Sequence, residues 1–383
     1  MKQKITEDLR SILASTTQFA CDLYAELATM EVEGNLFFSP YSIAAALAMT
    51  YGGARGSTAA EMADVLHFDP SEQSIHADFA ALDAQLDQMQ EESAVQLYIA
   101  NSLWPQRDYP FLLSYLNLLK RYYHVSVTPV DYVAATEEAR QHINQWVAEE
   151  TQEKIQQLIR EGDIDALTVL VLVNAIYFKG KWASQFDPAR TSEADFTCLD
   201  GRKHPVQMMH QIGEFGYAVL DDLQMLLMPY VGERMSMVFF LPRTPQALKM
   251  WEAQLSPENL TTWLARLAPT EMEVQMPRFE VTWGTFELNQ VLINLGMPRA
   301  FSGRADFSGM DGTTSLSIGA VLHKAFVEVN EEGTEATAAT AVVMGKGLIG
   351  RPTFRADHPF VFLIRDNTTG DILFLGRVAE LGT

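Results

Sequence analysis

The most unusual stretch of the 383-residue chain reads EEGTEATAATAVVMGKGLIGRP and spans residues 331–352. From Thr334 to Val343 every side chain is small or β-branched, with the exception of Glu335. One interpretation is a plain surface loop between two strands. Loops of about twenty residues are uncommon inside compact domains, however, and those that occur are usually functional. We therefore interpret residues 331–352 as a functional loop.

The first half of this loop also has the chemistry of a β-strand. Successive side chains along a strand point to opposite faces. One face would carry no charge, and it consists of Thr334, Ala336, Ala338, Thr340 and Val342. No proline occurs between Thr334 and Arg351, so every amide in that range can donate to a neighbouring strand. The pattern predicts a loop that can become a central strand of a sheet.

The chain is strongly acidic and offers no evident cofactor site. It has 28 Lys and Arg residues against 49 Asp and Glu residues, a net charge of −21. Nucleic-acid binding needs a clustered basic patch, so we expect no nucleic-acid partner, and a large net charge favours a soluble monomer. The two cysteines, Cys21 and Cys198, lack a C-x-x-C partner. We expect neither a metal nor an organic cofactor.

The order of elements indicates an α+β architecture. Helical periodicity dominates the first half, for example over residues 136–159. The apolar run TVLVLVNAIYF (168–178) predicts a strand buried on both faces. The second half is mainly strand-like, including EMEVQMPRFEVTW (271–283). Because helices and strands do not alternate regularly, we predict mostly antiparallel sheets. No segment has the composition of a linker, so residues 1–383 are expected to form one domain.

The N-terminal sequence MKQKITEDLRSILASTTQFACDLYAEL has no continuous apolar core and no small-residue cleavage site. We therefore expect no signal peptide. No run approaches the ~18 apolar residues of a membrane span, and we expect no membrane association. The residues themselves leave the cellular compartment open.

Seven segments resemble, in the same order, sequence motifs of the serpins, a family of serine-protease inhibitors. The segments are NLFFSPYSIAAALAM (35–49), GARGSTAAEM (53–62), LVNAIYFKGKW (172–182), MPRFEV (276–281), LGMPRAF (295–301), ADFSGM (305–310) and HKAFVEVNEEGTEATAAT (323–340). Any one of them could arise by chance, but seven in register span nearly the whole chain. The resemblance is to inhibitory, prokaryotic-like members of the family.

This resemblance implies a fold of three β-sheets and eight or nine helices, with an exposed reactive-centre loop near the C-terminus. It favours an extracellular protein. A serpin presents its loop as bait, and the loop inserts into the main sheet after a protease has cut it. The implied partner is a trypsin-, chymotrypsin- or subtilisin-like serine protease, held in a covalent complex. The inhibitor is consumed as a suicide substrate.

The resemblance also assigns roles to residues outside the loop. Four match the shutter group beneath the centre of the main sheet, where strands part: Ser39, Ser42, Asn174 and His323. Hydroxyls, an amide and an imidazole can exchange hydrogen-bond partners when a strand inserts. The plain alternative is a histidine and an asparagine satisfied in an ordinary core. Trp182 and Arg278 match the breach where the loop enters, and Arg278 is expected to pair with Glu331.

Within the loop, the resemblance separates a hinge from a reactive bond. The hinge residues are Glu331, Gly333, Thr334, Glu335, Ala336, Thr337, Ala338 and Ala339. Counting the family's usual loop length forward from Gly333 gives the Gly347–Leu348 bond, whereas counting back from Pro359–Phe360 gives Leu348–Ile349. Lys346 suits a trypsin-like pocket and Leu348 a chymotrypsin- or subtilisin-like one. Arg351 is a poor candidate because Pro352 follows it. The reactive bond is therefore placed within Lys346–Ile349, at Leu348 or Gly347 by preference.

Two other functions are weighed against inhibition. A non-inhibitory serpin, acting as a chaperone, carrier or storage protein, would keep the fold without the trap, but the small hinge residues argue against it. An enzyme is not expected, because the chain has neither a G-x-S-x-G nor an H-E-x-x-H motif.

Overall fold

The computed structural model of the chain describes residues 7–70, 74–92, 95–123, 125–334 and 350–382. Ten α-helices occur within these ranges, eight of them with seven or more residues. They are α1 (Glu7–Met30), α2 (Pro40–Tyr51), α3 (Gly56–Leu66), α4 (Ile75–Glu92), α5 (Leu113–Tyr122), α6 (Thr136–Glu150), α7 (Leu248–Glu252), α8 (Pro257–Leu264), α9 (Asn289–Leu295) and α10 (Ser308–Asp311).

Fifteen strands occur in the same ranges. They are β1 (Leu36–Phe38), β2 (Val95–Pro105), β3 (Ser126–Val127), β4 (Leu170–Lys181), β5 (Ser192–Thr197), β6 (Lys203–Leu220), β7 (Leu223–Pro229), β8 (Met235–Pro242), β9 (Ala268–Pro277), β10 (Phe279–Glu287), β11 (Ala320–Val329), β12 (Gly333–Thr334), β13 (Thr353–Arg355), β14 (Phe360–Asp366) and β15 (Ile372–Val378). Helices and strands are mixed as predicted for an α+β fold.

Six strands form a sheet in the order β10–β11–β12–β4–β2–β3. Its central strand β4 is almost wholly buried, as the apolar run at 168–178 predicts. The apolar helix α2, every residue of which is buried from Pro40 to Thr50, packs on the back of this sheet. Helix α6 covers the front through a second hydrophobic core that includes Ile143 and Val147. The six-stranded sheet is therefore a buried layer between two helices.

The other strands join into one larger sheet in the described part of the chain. Its order is β1–β15–β14–β8–β7–β6–β9–β13, and β5 pairs with β6. The expectation of three separate sheets differs from this hydrogen-bond pattern for a local reason. Strand β6 has 18 residues. Its first part pairs with β5 and its last part with β7, so one continuous strand links two layers into a single sheet.

Two predicted elements are interrupted. The stretch 271–283 is not one strand: it breaks at Arg278, so that β9 belongs to the larger sheet and β10 to the six-stranded sheet. Helical periodicity over 136–159 overestimates α6, which ends at Glu150. Gln152 and Glu153 then have φ values of 53° and 61°, and such left-handed conformations cannot continue a helix.

Over the described ranges, none of the helices combines the length and the apolar character that crossing a membrane requires.

Candidate functional site

Strands β4 and β11 form a parallel seam that a short strand begins to separate. Residues 320–326 of β11 pair with residues 171–177 of β4. Beyond the seam, β12 lies between the two strands and runs antiparallel to both. Thr334 pairs with Gly180 of β4 and with Val329 of β11. The start of the long loop thus occupies a central position in the sheet, at the open end of the seam.

Gly333 is required at the turn that leads into β12. The Asn330 N–H donates to the Gly333 carbonyl oxygen at 2.9 Å. A Cβ atom on Gly333 would lie 2.1 Å from the carbonyl oxygen of Gly180 and 2.6 Å from Cα of Lys181. Both are backbone atoms of β4 and cannot swing aside as a flexible side chain would. Any larger residue here would displace β12 from the sheet.

Trp182, which the family resemblance assigns to the breach, contacts the turn that leads into β12. Its indole N–H donates to the Asn330 carbonyl oxygen at 3.1 Å, and its backbone N–H donates to the Glu332 carbonyl oxygen at 2.9 Å. The Trp182 ring stacks on Tyr230 with centroids 4.6 Å apart. The Tyr230 hydroxyl in turn lies 3.0 Å from the Thr334 hydroxyl. One connected set of contacts therefore links the breach to the first inserted hinge residue.

Arg278 and Glu331 form the expected ion pair. Arg278 Nε donates to both oxygens of the Glu331 carboxylate at 2.8 Å, and the Thr191 hydroxyl donates to Oε1 at 2.5 Å. The side chain of Arg278 is 46% exposed but that of Glu331 only 6%. Burial by itself would raise the pKa of Glu331, but the hydrogen bonds from Arg278 and Thr191 outweigh it and lower the pKa. The pair holds the loop base to the junction between β9 and β10.

The four predicted shutter residues meet at the middle of the seam. Asn174 Nδ2 donates to the carbonyl oxygen of Ser42 at 2.8 Å, and it lies 2.5 Å from the Ser42 hydroxyl. A third acceptor, Oδ1 of Asn101, is 2.7 Å away. His323 bonds Asn174 on one side, and its Nε2 accepts the Ser39 N–H at 3.2 Å on the other. All four predicted residues are at most 1% exposed.

The same contacts fix the protonation state of His323. Nε2 accepts the Ser39 N–H, so the ring proton is on Nδ1, which donates to Oδ1 of Asn174. Complete burial disfavours the charged ring and lowers the pKa of His323 to about 3. A proton on Nε2 would oppose the Ser39 N–H. The shutter group is thus built around a neutral imidazole that bridges β11 to α2 and β4.

Most of the predicted loop residues lie outside the part of the chain that the structure describes. Nine predicted residues lie outside the described part of the chain: Glu335, Ala336, Thr337, Ala338, Ala339, Lys346, Gly347, Leu348 and Ile349. Beyond them, the Arg351 side chain is only 13% exposed and donates to the Glu271 carboxylate at 2.5 Å. Arg351 is therefore engaged with the larger sheet rather than presented to solvent.

Three residues of the site were not predicted from the sequence: Asn101, Thr191 and Tyr230. Asn101 had a local signal, because Asn101 and Ser102 are polar residues that interrupt the apolar run of β2. The structure places Asn101 directly opposite Asn174 in the β2–β4 register. Tyr230 and Thr191 follow unrelated elements, and only the tertiary fold brings them to the loop base.

Comparisons with known proteins agree with this geometry. Residues 14–381 match the serpin family, described as serine protease inhibitors. The chain is 42% identical to leukocyte elastase inhibitor of Bos taurus over 97% of its length and 100% of the relative's. Leukocyte elastase inhibitor of Homo sapiens is 40% identical with the same coverage. These relatives are vertebrate proteins, so the predicted prokaryotic-like character is not supported.

A solved structure shows the same fold. Uncleaved ovalbumin superimposes with a TM-score of 0.87 at 31% identity, over 97% of this chain and 100% of that one. The predicted serpin fold is therefore confirmed. The family match over residues 14–381, together with full-length relatives at 40% identity or more, shows that the chain belongs to the serpin family.

Proposed function

We propose that this chain inhibits serine proteases as a suicide substrate, by inserting its cleaved loop between β4 and β11. The observation that carries the proposal is β12. Two hinge residues already form a strand between β4 and β11, antiparallel to both, at the open end of a seam of seven residue pairs. The six-stranded sheet is therefore poised to accept more of the same segment.

The strand register supports a defined end point for insertion. Nine residues beyond Thr334, position 343 would come opposite Val171 when counted along β4 and opposite Ala320 when counted along β11. Val171 and Ala320 are already partners of each other. The two counts therefore agree. A strand over residues 334–343 would separate the whole seam, and position 340 would fall between Asn174 and His323.

The chemistry of trapping follows from the ordinary protease cycle. The protease serine Oγ attacks the carbonyl carbon of the reactive bond, the C–N bond breaks, and the new amine leaves with a proton from the catalytic histidine. The loop remains joined to the protease as an ester. Its freed hinge then inserts and carries the protease across the molecule. Distortion of the protease's oxyanion hole prevents the water attack that would release it.

The target class is proposed from the loop and from the relatives' names. Within Lys346–Ile349, Leu348 or Gly347 would be the residue that lies at the specificity pocket, and only Leu348 has a side chain that could fill it. The relatives named leukocyte elastase inhibitor add elastases to the predicted trypsin-, chymotrypsin- and subtilisin-like enzymes. We propose that the inhibitor is a monomer and that it forms a covalent complex with one such protease.

The test is to mix the intact chain with trypsin, chymotrypsin, elastase and subtilisin and to run denaturing gels. We expect at least one protease to give a band near the summed masses that survives boiling in detergent. Mass spectrometry of the released C-terminal peptide locates the bond. The same protease with its catalytic serine replaced by alanine is the control and should give no band. If all four active proteases clip the loop and remain active, a non-inhibitory role takes the place of inhibition.

A further inference from the structure

The segment between α6 and β4 crosses the front of the seam, and we call residues 151–169 the strap. Ile155, Leu158 and Ile159 of the strap are fully buried in the front core together with Tyr177 and Phe326. Asn144 of α6 fixes the strap's path, because its Oδ1 accepts the N–H groups of residues 158 and 159 at 3.0 and 2.8 Å. A strand that enters between β4 and β11 must therefore pass beneath the strap.

Lys154 of the strap lies over the last closed pair of the seam. Its Nζ is 5.2 Å from the ring centre of Phe326 and 6.0 Å from that of Tyr177. Those two residues are register partners, one on β11 and one on β4. The same ammonium lies 3.7 Å from the Glu328 carboxylate of β11. A single cation therefore contacts both strands at the place where β12 begins to divide them.

The backbone before Lys154 is held in an unfavourable conformation. Gln152 and Glu153 are both left-handed, a region that non-glycine residues avoid unless the surrounding structure imposes it. The Thr151 hydroxyl imposes it here, since it donates to the Val147 carbonyl oxygen at 2.7 Å and accepts the Ile155 N–H at 3.2 Å. The two consecutive left-handed residues set the direction in which the chain leaves α6 and enters the strap at Lys154.

We propose that Lys154 latches β4 to β11 at the last closed pair, and that release of this contact limits the rate at which a strand enters the seam. The inference rests on the proposed function, because it assumes that insertion uses this seam. Cation–π contacts and exposed ion pairs are each weak. The latch therefore controls a rate and is not a large part of the folding free energy.

The test measures strand entry without a protease. The intact chain is incubated with an acetylated peptide of residues 334–343, TEATAATAVV, and formation of the one-to-one complex is followed on native gels. Lys154→Met keeps the aliphatic stem and removes the charge, and we expect it to anneal about fivefold faster than the unsubstituted chain. Lys154→Arg restores the cation and should stay within about twofold. Lys203→Met, at an exposed ion pair with Asp195 far from the seam, is the matched control.

A latch is overturned if Lys154→Met anneals at the unsubstituted rate, or if Lys154→Arg is as fast as Lys154→Met. Absence of annealing in every variant also overturns it, because the seam then does not open in the intact chain. If Lys154→Met does not fold, Glu328→Gln is tested instead, because it removes the carboxylate that pairs with Lys154. We expect Glu328→Gln to anneal the peptide faster than the unsubstituted chain. A chain that anneals the peptide with this ranking but traps no protease supports the latch and refutes inhibition, so the two failures are distinguishable.

Discussion

The Thr334 hydroxyl lies 3.0 Å from the Tyr230 hydroxyl, and both side chains are completely buried at the open end of the seam. The first residue of the uncharged hinge face thus already points into the core. Each later residue of that face would follow on the same side as the strand extends. The composition of the hinge matters because this face must leave water without carrying a charge.

A charge at position 334 should therefore block insertion. An unpaired charge buried in an apolar core costs several kcal/mol. We expect Thr334→Arg to convert inhibitor into substrate, so that the moles of chain consumed per mole of protease rise at least severalfold while the loop is still cut at the same bond. Titration of protease activity measures this ratio. Thr353→Arg, at an exposed position of β13, is the control. An unchanged ratio in Thr334→Arg would exclude hinge insertion.

Loss of Arg278 should weaken the loop base. Its removal leaves the Glu331 carboxylate buried with fewer donors, and hydrogen bonds to a charged group contribute about 1.5–3 kcal/mol. Since half of Arg278 is exposed, we expect Arg278→Gln to lose about 1–2 kcal/mol, measured by urea unfolding. Arg278→Gln combined with Glu331→Gln should recover part of the loss. Equal stability of Arg278→Gln and the unsubstituted chain would show that the pair does not hold the loop base.

The shutter histidine should make the fold sensitive to acid. An unfolded histidine has a pKa near 6.5, whereas burial lowers the pKa of His323 to about 3. Between these values the unfolded chain binds more protons, so stability falls as the pH drops from 6.5 towards 3. Unfolding midpoints at pH 7, 5 and 4 should decline less for His323→Gln than for the unsubstituted chain. Parallel declines would mean that His323 does not contribute.

Asp371 should make the fold less stable at high pH, whereas His323 makes it less stable at low pH. Burial and the nearby Asp366 carboxylate raise the pKa of Asp371 to about 7, and its Oδ1 contacts no hydrogen-bond donor within the described residues. The folded chain therefore binds more protons between pH 4 and 7, and this contribution to stability is lost as the pH rises through 7. We expect Asp371→Asn to be about 2–4 kcal/mol more stable at pH 8 and to differ little at pH 4. A variant that is less stable at pH 8 would contradict this.

Local patterns in the sequence were enough to predict the parts of the site that depend on composition. The buried strand β4 follows from its continuous apolar run. The hinge is predicted from its small residues, and beyond Thr334 it lies outside the described residues and stays a prediction. Resemblance to the family named Ser39, Ser42, Asn174 and His323, which the structure brings within hydrogen-bond reach of one another. Their role as a shutter during insertion stays a prediction.

Features set by tertiary contacts could not be predicted in this way. Pro277 is a local signal for the break at Arg278, because proline cannot donate to a strand ladder, but only the tertiary fold places β9 and β10 in different sheets. The early end of α6 depends on the Thr151 hydroxyl, which imposes left-handed conformations on the next two residues. Tyr230 is brought to Thr334 by a hairpin about a hundred residues earlier in the chain. Hydrophobic periodicity indicates which residues of one helix or strand are buried. It does not indicate which distant residues they contact.

Insertion should make the cleaved chain more stable than the intact one. About ten residues would gain hydrogen bonds on both sides, each contributing about 1 kcal/mol net, but the bonds that now join β4 to β11 would be lost. Ordering the ten residues costs roughly 1–2 kcal/mol per residue, so hydrogen bonding alone does not stabilise the inserted state. Burial of the uncharged hinge face therefore determines whether insertion lowers the free energy of the cleaved chain. The intact chain cannot reach this state easily while both ends of the loop are anchored, at Glu331 by Arg278 and at Arg351 by Glu271, so it is held by a kinetic barrier.

Calorimetry of the intact chain and of the chain cut within Lys346–Ile349 tests this directly. Ordinary nicking of a loop lowers or leaves unchanged the midpoint of thermal unfolding. We predict a rise of tens of degrees after cleavage, because even a few kcal/mol shift the midpoint by several degrees in a domain of this size. A midpoint that is equal or lower after cleavage would mean that the loop does not enter the seam, and would contradict inhibition by loop insertion.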